Sequence, residues 1–369
     1  MDLTCKRASS PVRTLVVDDA PLMRKAIRRI LESSRDIEVV GLAVNGRDCL
    51  EKIRERRQDV ITLDIDMPVM NGITAIKNIM VHHQIPIVII SSLVEDGYFA
   101  FEALRLGVMD FLPKPSLVHA ADWTWEEDLV RRRVLMASSM QIQRMRRVRR
   151  QWKRPATTAS LEISPRSAVV MGTTLAGPNT IMHIVTQLSA DFPGAIVAIQ
   201  EIHPRILGPF CASFNEISPL EVIPVVGPTP LRAGNVYMAS TFRNLRMEES
   251  PTRPGETVLT PGDRSDHPID ELFESGARRF KQNICGVLLT GVGTDGADGM
   301  AEIKKRGGVT IGQEQACCVY PNLVENAIEQ DVVDAVMSPH GIAARIESWL
   351  HNKSCADLDF FHARKAGRR

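Results

Sequence analysis

Twice along the chain, short apolar runs of strand length alternate with amphipathic stretches of helical spacing, and few folds accept that pattern. In the first stretch Thr14–Val17, Glu38–Ala43, Val60–Leu63, Ile87–Ile90 and Val108–Leu112 read as strands. Pro21–Leu31, Gly46–Arg56 and residues 73–82 and 98–106 read as the helices between them. In the second stretch the strands are Ala168–Met171, Ala195–Gln200, Glu221–Val226, Asn235–Ala239, Gly286–Thr290 and Gly308–Gly312. The helices there are Asn179–Leu188, Leu207–Asn215, Ile269–Gln282, Gly296–Lys305 and Gly341–His351. Continuous apolar strands separated by helices form parallel sheets covered on both faces. The expected fold class is therefore α/β, with two doubly wound parallel-sheet domains joined by a helical linker. The expected boundaries are 1–118, a basic helical linker over 119–165, a second domain over 166–350 and a flexible tail over 351–369.

A chain of 369 residues has room for two such domains. Its 45 Lys+Arg against 44 Asp+Glu leave almost no net charge, so the chain as a whole lacks the electrostatic footprint of a nucleic-acid binder. Seven scattered cysteines form no CxxC pair, so neither a zinc cluster nor a disulfide frame is indicated, which fits a reducing cytoplasm. No apolar run approaches a membrane span, and the N-terminus lacks a signal-peptide core. A cytoplasmic location without membrane insertion is expected. Residues 125–150 read as a helix with a basic face, Arg131, Arg132, Arg133, Arg144, Arg146, Arg147, Arg149 and Arg150. No DNA-binding module follows it, and a solvated hinge helix accounts for the composition. Nucleic acid is not expected as a partner.

Doubly wound sheets gather their chemistry at the carboxyl ends of the strands. In the first domain Asp18 and Asp19 follow the first strand and Asp64 the third, while Ser91 follows the fourth and Lys114 the fifth. Converging carboxylates repel one another, so a hard divalent cation, Mg²⁺, is the natural neutraliser at Asp18, Asp19 and Asp64. A lysine and a hydroxyl beside them suit a phosphoryl group. The segments LVVDDAPLMR, ITLDIDMPVMNG, VIISSL and DFLPKP resemble the response-regulator receiver family. The resemblance implies that Asp64 accepts a phosphoryl group from a histidine kinase, that Asp18 and Asp19 help hold Mg²⁺, and that Ser91 and Lys114 contact the phosphoryl oxygens. It also implies that Phe111 is the aromatic residue that reorients with the state of the switch.

The second domain begins on Ser167–Asn179, SAVVMGTTLAGPN, a strand that breaks sharply into a helix. Thr173 and Thr174 sit at the break, where a hydroxyl is either a nucleophile or a helix cap; local sequence favours the cap. Further on, LLTGVGTDGADGM carries four glycines and Asp295, either a helix cap or the partner of a catalytic histidine. Together with the Gln200–Pro204 segment, GNVYMA and GQEQACCV, these motifs resemble the catalytic domain of chemotaxis protein-glutamate methylesterases. A receiver followed by this domain is that family's architecture. Its members are phosphorylation-activated hydrolases of glutamate methyl esters on chemoreceptors, and many deamidate receptor glutamines.

The family's serine, histidine and aspartate map unequally. Thr174 takes the nucleophile's place, Glu201 follows Gln200 where the family has histidine, His203 lies two positions on, and Asp295 is retained. Threonine's extra methyl crowds attack, and glutamate's pKa lies about two units below that of histidine, which makes it a weaker base. The resemblance thus implies either a phosphorylation-gated methylesterase or an impaired relative that binds receptors or draws phosphoryl groups from the kinase.

Overall fold

The computed structural model describes residues 10–92, 97–114, 123–144 and 163–351. By contacts the chain divides into two compact units, Met1–Val148 with Ile202–Phe210, and Arg149–Glu201 with Cys211–Arg369.

The first unit runs β1 (Val12–Val17), α1 (Pro21–Glu32), β2 (Ile37–Ala43), α2 (Gly46–Glu55), β3 (Val60–Leu63), α3 (Gly72–His82), β4 (Ile87–Ser91), α4 (Gly97–Leu106), β5 (Asp110–Pro113) and α5 (Trp123–Ser138). Its five parallel strands lie in the order β2-β1-β3-β4-β5. Local chemistry fixes the helix starts. Pro21 opens α1 with its φ already helical, and Met23, Ile27, Ile30 and Leu31 bury one stripe. The Asn45 side chain accepts from Asp48 N at 3.0 Å to start α2, and Asn71 accepts from Thr74 N at 2.9 Å to start α3. Only glycine fits at position 72. A Cβ there would stand 2.3 Å from the Asp64 carbonyl oxygen and 2.7 Å from Ile65 Cα. That close approach sets α3 against the turn carrying Asp64.

The helix expected over 125–150 ends at Ser138, where the hydroxyls of Ser138 and Ser139 bond back to Leu135 O and Met136 O. A 3₁₀ turn, Ile142–Arg144, follows. Residues 145–162, with Arg146, Arg147, Arg149 and Arg150, and the tail from 352 lie outside the described residues. The basic face is not simply solvated. Arg133 is buried, with Nε 2.7 Å from Asp110, and Arg131 donates to the Ser33 hydroxyl at 2.8 Å.

The second unit contains β6 (Ala168–Gly172), α6 (Gly177–Val185), β7 (Ala195–Gln200), the C-terminal part of α7 (Pro204–Asn215 overall), β8 (Glu221–Pro224), β9 (Thr229–Pro230), β10 (Asn235–Ser240), β11 (Leu245–Glu249), β12 (Thr257–Pro261), α8 (Pro268–Phe280), β13 (Ile284–Leu288), α9 (Ala297–Lys305), β14 (Val309–Gln313), α10 (Asn322–Glu329), β15 (Ala335–Met337) and a last helix, α11, over 339–351. Seven parallel strands lie in the order β15-β14-β13-β6-β7-β10-β8. A small antiparallel sheet, β11-β12-β9, was not anticipated from sequence. In β11 Leu245 and Met247 face the core while Arg246, Glu248 and Glu249 are exposed, the alternation of a sheet packed on one side. Leu245, Met247 and Leu259 join the inner face of β6 and β7 and the buried stripe of α8 in one apolar cluster with Val170, Ile199, Ile269 and Phe273.

Removing Arg133 takes a cation from the buried Asp110 carboxylate, and breaking a buried pair costs about 3–5 kcal/mol. Arg133→Ala is therefore expected to lower the hydrogen-exchange protection of β4 and β5 amides by that order, with the second unit unaffected.

Candidate functional site

At the carboxyl edge of the first sheet three strands deliver charge to one point. Asp64 Oδ1 accepts from Ser91 Oγ and from Ile65 N, both at 2.7 Å. Lys114 Nζ lies 2.6 Å from Asp64 Oδ2 and 2.7 Å from Asp18 Oδ2. Asp18 Oδ1 accepts from Ala20 N at 2.9 Å, and the Arg24 guanidinium holds the loop by donating to the carbonyls of Asp18 and Asp19. Burial pushes the Asp18 carboxyl above its ordinary value, and Lys114 offsets part of that rise. Burial would lower the Lys114 ammonium, but its bonds to Asp18 and Asp64 outweigh it and raise the group. Asp18, Asp19 and Asp64 each offer an oxygen within 4.8 Å of the others, an oxygen-only donor set of the kind hard cations take. Phe111, beside this edge on β5, is fully buried. Arg24 is the residue that motif reading passed over; its backbone-facing contacts leave no sequence signature.

In the second unit three neighbouring strands, β13, β6 and β7, bring Asp295, Thr174 and Glu201 to one edge. Neither threonine of the turn caps α6, whose N-cap position is Ala176, with no side-chain cap. Ala176 itself adopts a left-handed φ of 59°, a region that favours glycine. Thr173 donates to the Thr290 carbonyl. Thr174 Oγ1 accepts from Val292 N at 2.7 Å and donates to Val292 O at 3.2 Å. The two threonines thus tie the β6 turn to the glycine-rich loop after β13. Gly291 permits it, since a Cβ there would stand 2.5 Å from Thr174 Oγ1.

Asp295 is a cap, as one of its two readings held. Its Oδ2 accepts from Ile269 N at 2.9 Å and its Oδ1 from Asp270 N at 3.0 Å, at the start of α8. Asp270 answers from the other side: its Oδ1 accepts from Gly296 N at 2.9 Å and Gly299 N at 2.7 Å, around the start of α9. Each acid caps the other's helix. Burial first, then the neighbouring Asp270 charge, push the Asp295 carboxyl up to about 7, against the pull of the two backbone amides. Asp270 went unnoticed in the sequence because it lies inside an ordinary amphipathic helix pattern.

Glu201 is half-buried immediately beyond β7. His203 groups with the first unit, whereas Thr174, Glu201 and Asp295 belong to the second. His203 is half-buried, and its Nδ1 accepts from Arg205 N at 3.3 Å. Burial and the Arg205 charge push its imidazole down to about 4, which leaves it neutral at pH 7 and a weak base. Asn244 donates to Glu271 at 2.9 Å.

Among the described residues no helix is long and apolar enough to cross a membrane. The response regulator receiver domain model matches residues 14–120, and the CheB methylesterase model matches residues 169–346. A protein-glutamate methylesterase/protein-glutamine glutaminase 2 of Carboxydothermus hydrogenoformans is 33% identical over 354 residues, covering 91% of this chain and 98% of the relative. One of the same name from Vibrio vulnificus is 33% identical over 330 residues, covering 87% and 93%. A protein-glutamate methylesterase/protein-glutamine glutaminase of Clostridium acetobutylicum is 33% identical over 342 residues, covering 91% and 96%.

The raised Asp295 carboxyl has a measurable consequence. Its folded pKa, about 7, exceeds the ordinary 3.8, so between those values the folded chain keeps a proton that the unfolded chain has released. The stability this proton contributes is full below about pH 4 and is lost as pH rises toward 7. Carbon-13 NMR should show the Asp295 carboxyl titrating near neutrality. Titration of that carboxyl in the ordinary acidic range would contradict the burial argument.

Proposed function

The chain belongs to the CheB methylesterase family, and from that premise we propose how its two halves divide the work of a phosphorylation-regulated protein-glutamate methylesterase. The substrates are glutamate methyl esters on chemoreceptors, and the same acyl chemistry on a glutamine side chain releases ammonia in place of methanol. A chemotaxis histidine kinase is the phosphodonor, and the cytoplasm is the compartment. The reading is supported by Thr174, Glu201 and Asp295 following three adjacent strands, β6, β7 and β13, in a chain whose other sheet gathers Asp18, Asp64, Ser91 and Lys114 at its own edge.

In the first unit Asp64 is the phosphoacceptor. One of its carboxylate oxygens attacks the phosphorus of a phosphohistidine, the P–N bond breaks, and the imidazole leaves. Ser91 and Lys114 already touch Asp64, so they need only small movements to meet the new phosphoryl oxygens. Asp18, Asp19 and Asp64 form the donor set for Mg²⁺, which when bound neutralises the crowded oxygens. Phe111 is the side chain that responds to the state of Asp64.

In the second unit Thr174 Oγ1 attacks the ester carbonyl carbon. To do so the hydroxyl leaves the Val292 carbonyl and gives its proton to the base, Glu201. The C–O bond to the methoxy group breaks, methanol departs with that proton, and water then cleaves the acyl-threonine. Asp295 fixes α8 beside this edge and supplies negative charge when ionised. Threonine and glutamate in these two places make turnover slower than a serine–histidine pair gives.

Methanol release from methylated receptor, with and without a small-molecule phosphodonor, tests the reading. Thr174→Ala should abolish donor-stimulated release, and Asp64→Asn should abolish the stimulation alone. Glu201→His restores the stronger base and should raise release by roughly a hundredfold. Unchanged release in all three would sink the assignment; loss in His203→Ala with none in Glu201→Gln would move the base to position 203.

A further inference from the structure

Beside the capped pair of acids stands an imidazole that neither half of the proposed reaction uses. His267 directly precedes α8, and its Nδ1 lies 3.7 Å from Asp270 Oδ2. One ligand atom each from His267, Asp270 and Asp295 falls within 4.8 Å of the other two. A second property sets this trio apart from a chance meeting of surface acids. Four backbone amides, Ile269 N, Asp270 N, Gly296 N and Gly299 N, orient three of the four carboxylate oxygens. The fourth, Asp270 Oδ2, is turned toward His267. Hydrogen bonds that hold liganding groups from behind are what a preorganised metal site requires. Each bonded carboxylate oxygen of Asp295 still has a second lone pair.

We propose that His267, Asp270 and Asp295 bind one divalent transition metal of the zinc class, with a fourth position open to water. The donor set selects the ion. One imidazole and two carboxylates suit Zn²⁺ or its neighbours, whereas Mg²⁺ prefers oxygen alone. Ligands on a tetrahedral Zn²⁺ at about 2.1 Å stand about 3.4 Å apart, so the trio needs a contraction of little more than one ångström. His267, 47% exposed, has the freedom to make that movement, while the two acids stay fixed on their amides. The bound ion joins the starts of α8 and α9 and supplies a counter-charge to two adjoining carboxylates, one buried and one half-buried. The site stands on its own ligands and does not rest on the esterase reading.

The test uses the full chain in excess Mg²⁺, which occupies the oxygen-only cluster around Asp64. Zn²⁺ is titrated in competition with a chromophoric chelator, and Co²⁺ is added separately as a spectroscopic probe. One equivalent of Zn²⁺ should bind, with visible Co²⁺ bands of four-coordinate intensity. His267→Ala should weaken binding by about tenfold or more and erase those bands. That exposed position carries little folding risk, unlike Asp270. Cys317→Ser should leave both readouts unchanged, because Cys317 is a half-exposed thiol remote in sequence from the trio. Binding that survives His267→Ala, a thiolate charge-transfer band, or no binding at all would overturn the proposal. Methanol release without added transition metal is scored separately, so failure of the esterase reading and failure of this site remain distinct results.

Discussion

A carboxylate buried at the end of a parallel strand is tolerable only where hydrogen bonds or a cation meet it, and both units of this chain are organised around that requirement. In the first, Lys114 bridges Asp18 and Asp64 while Ser91 and Ile65 N complete the shell of Asp64. In the second, no lysine among the described residues pairs with Asp270 or Asp295, and backbone amides at two helix starts do the holding. The difference has a chemical consequence. A lysine can swing to follow an incoming phosphoryl group, which suits a switch. Amides at helix starts cannot move without unwinding the helices, which suits a fixed frame.

The frame is tight because glycines let its parts approach closely. Gly172 lies against Ile269, where a Cβ would stand 2.3 Å from Ile269 Cγ2, and Gly299 lies against Phe273 and the Asp270 backbone. These contacts press α8 onto β6 and α9, and so bring Asp295 to the edge that carries Thr174. Position 177 follows the same logic: a Cβ there would strike the Thr173 side chain at 2.3 Å. The close approaches at 172 and 177 therefore fix the backbone of the strand–turn–helix between them.

Much of the architecture was legible because buried parallel strands write themselves as apolar runs. Val60–Leu63 and Ala195–Gln200 appear in the structure with the bounds read from sequence. The antiparallel strands were not legible: β9 is two residues long, and β11 keeps only two apolar side chains in five. The first-unit site was readable because each polar residue sits at or just beyond the end of a strand. The second was readable only in part. Thr174 stood out by motif, but its bonds to Val292 join positions 118 apart in sequence, and no local pattern encodes them. Asp270 hid in the polar stripe of α8, and the expected linker helix failed at Ser138 because serines there turn their hydroxyls back onto the chain.

The two-way bond between Thr174 and Val292 ties one hydroxyl to both the amide and the carbonyl of a single peptide residue. Whenever that hydroxyl departs, the Val292 N–H loses its acceptor. Deuterium uptake at that single amide is thus a clock for how often the Thr174 side chain leaves its resting place, legible before any ligand is added.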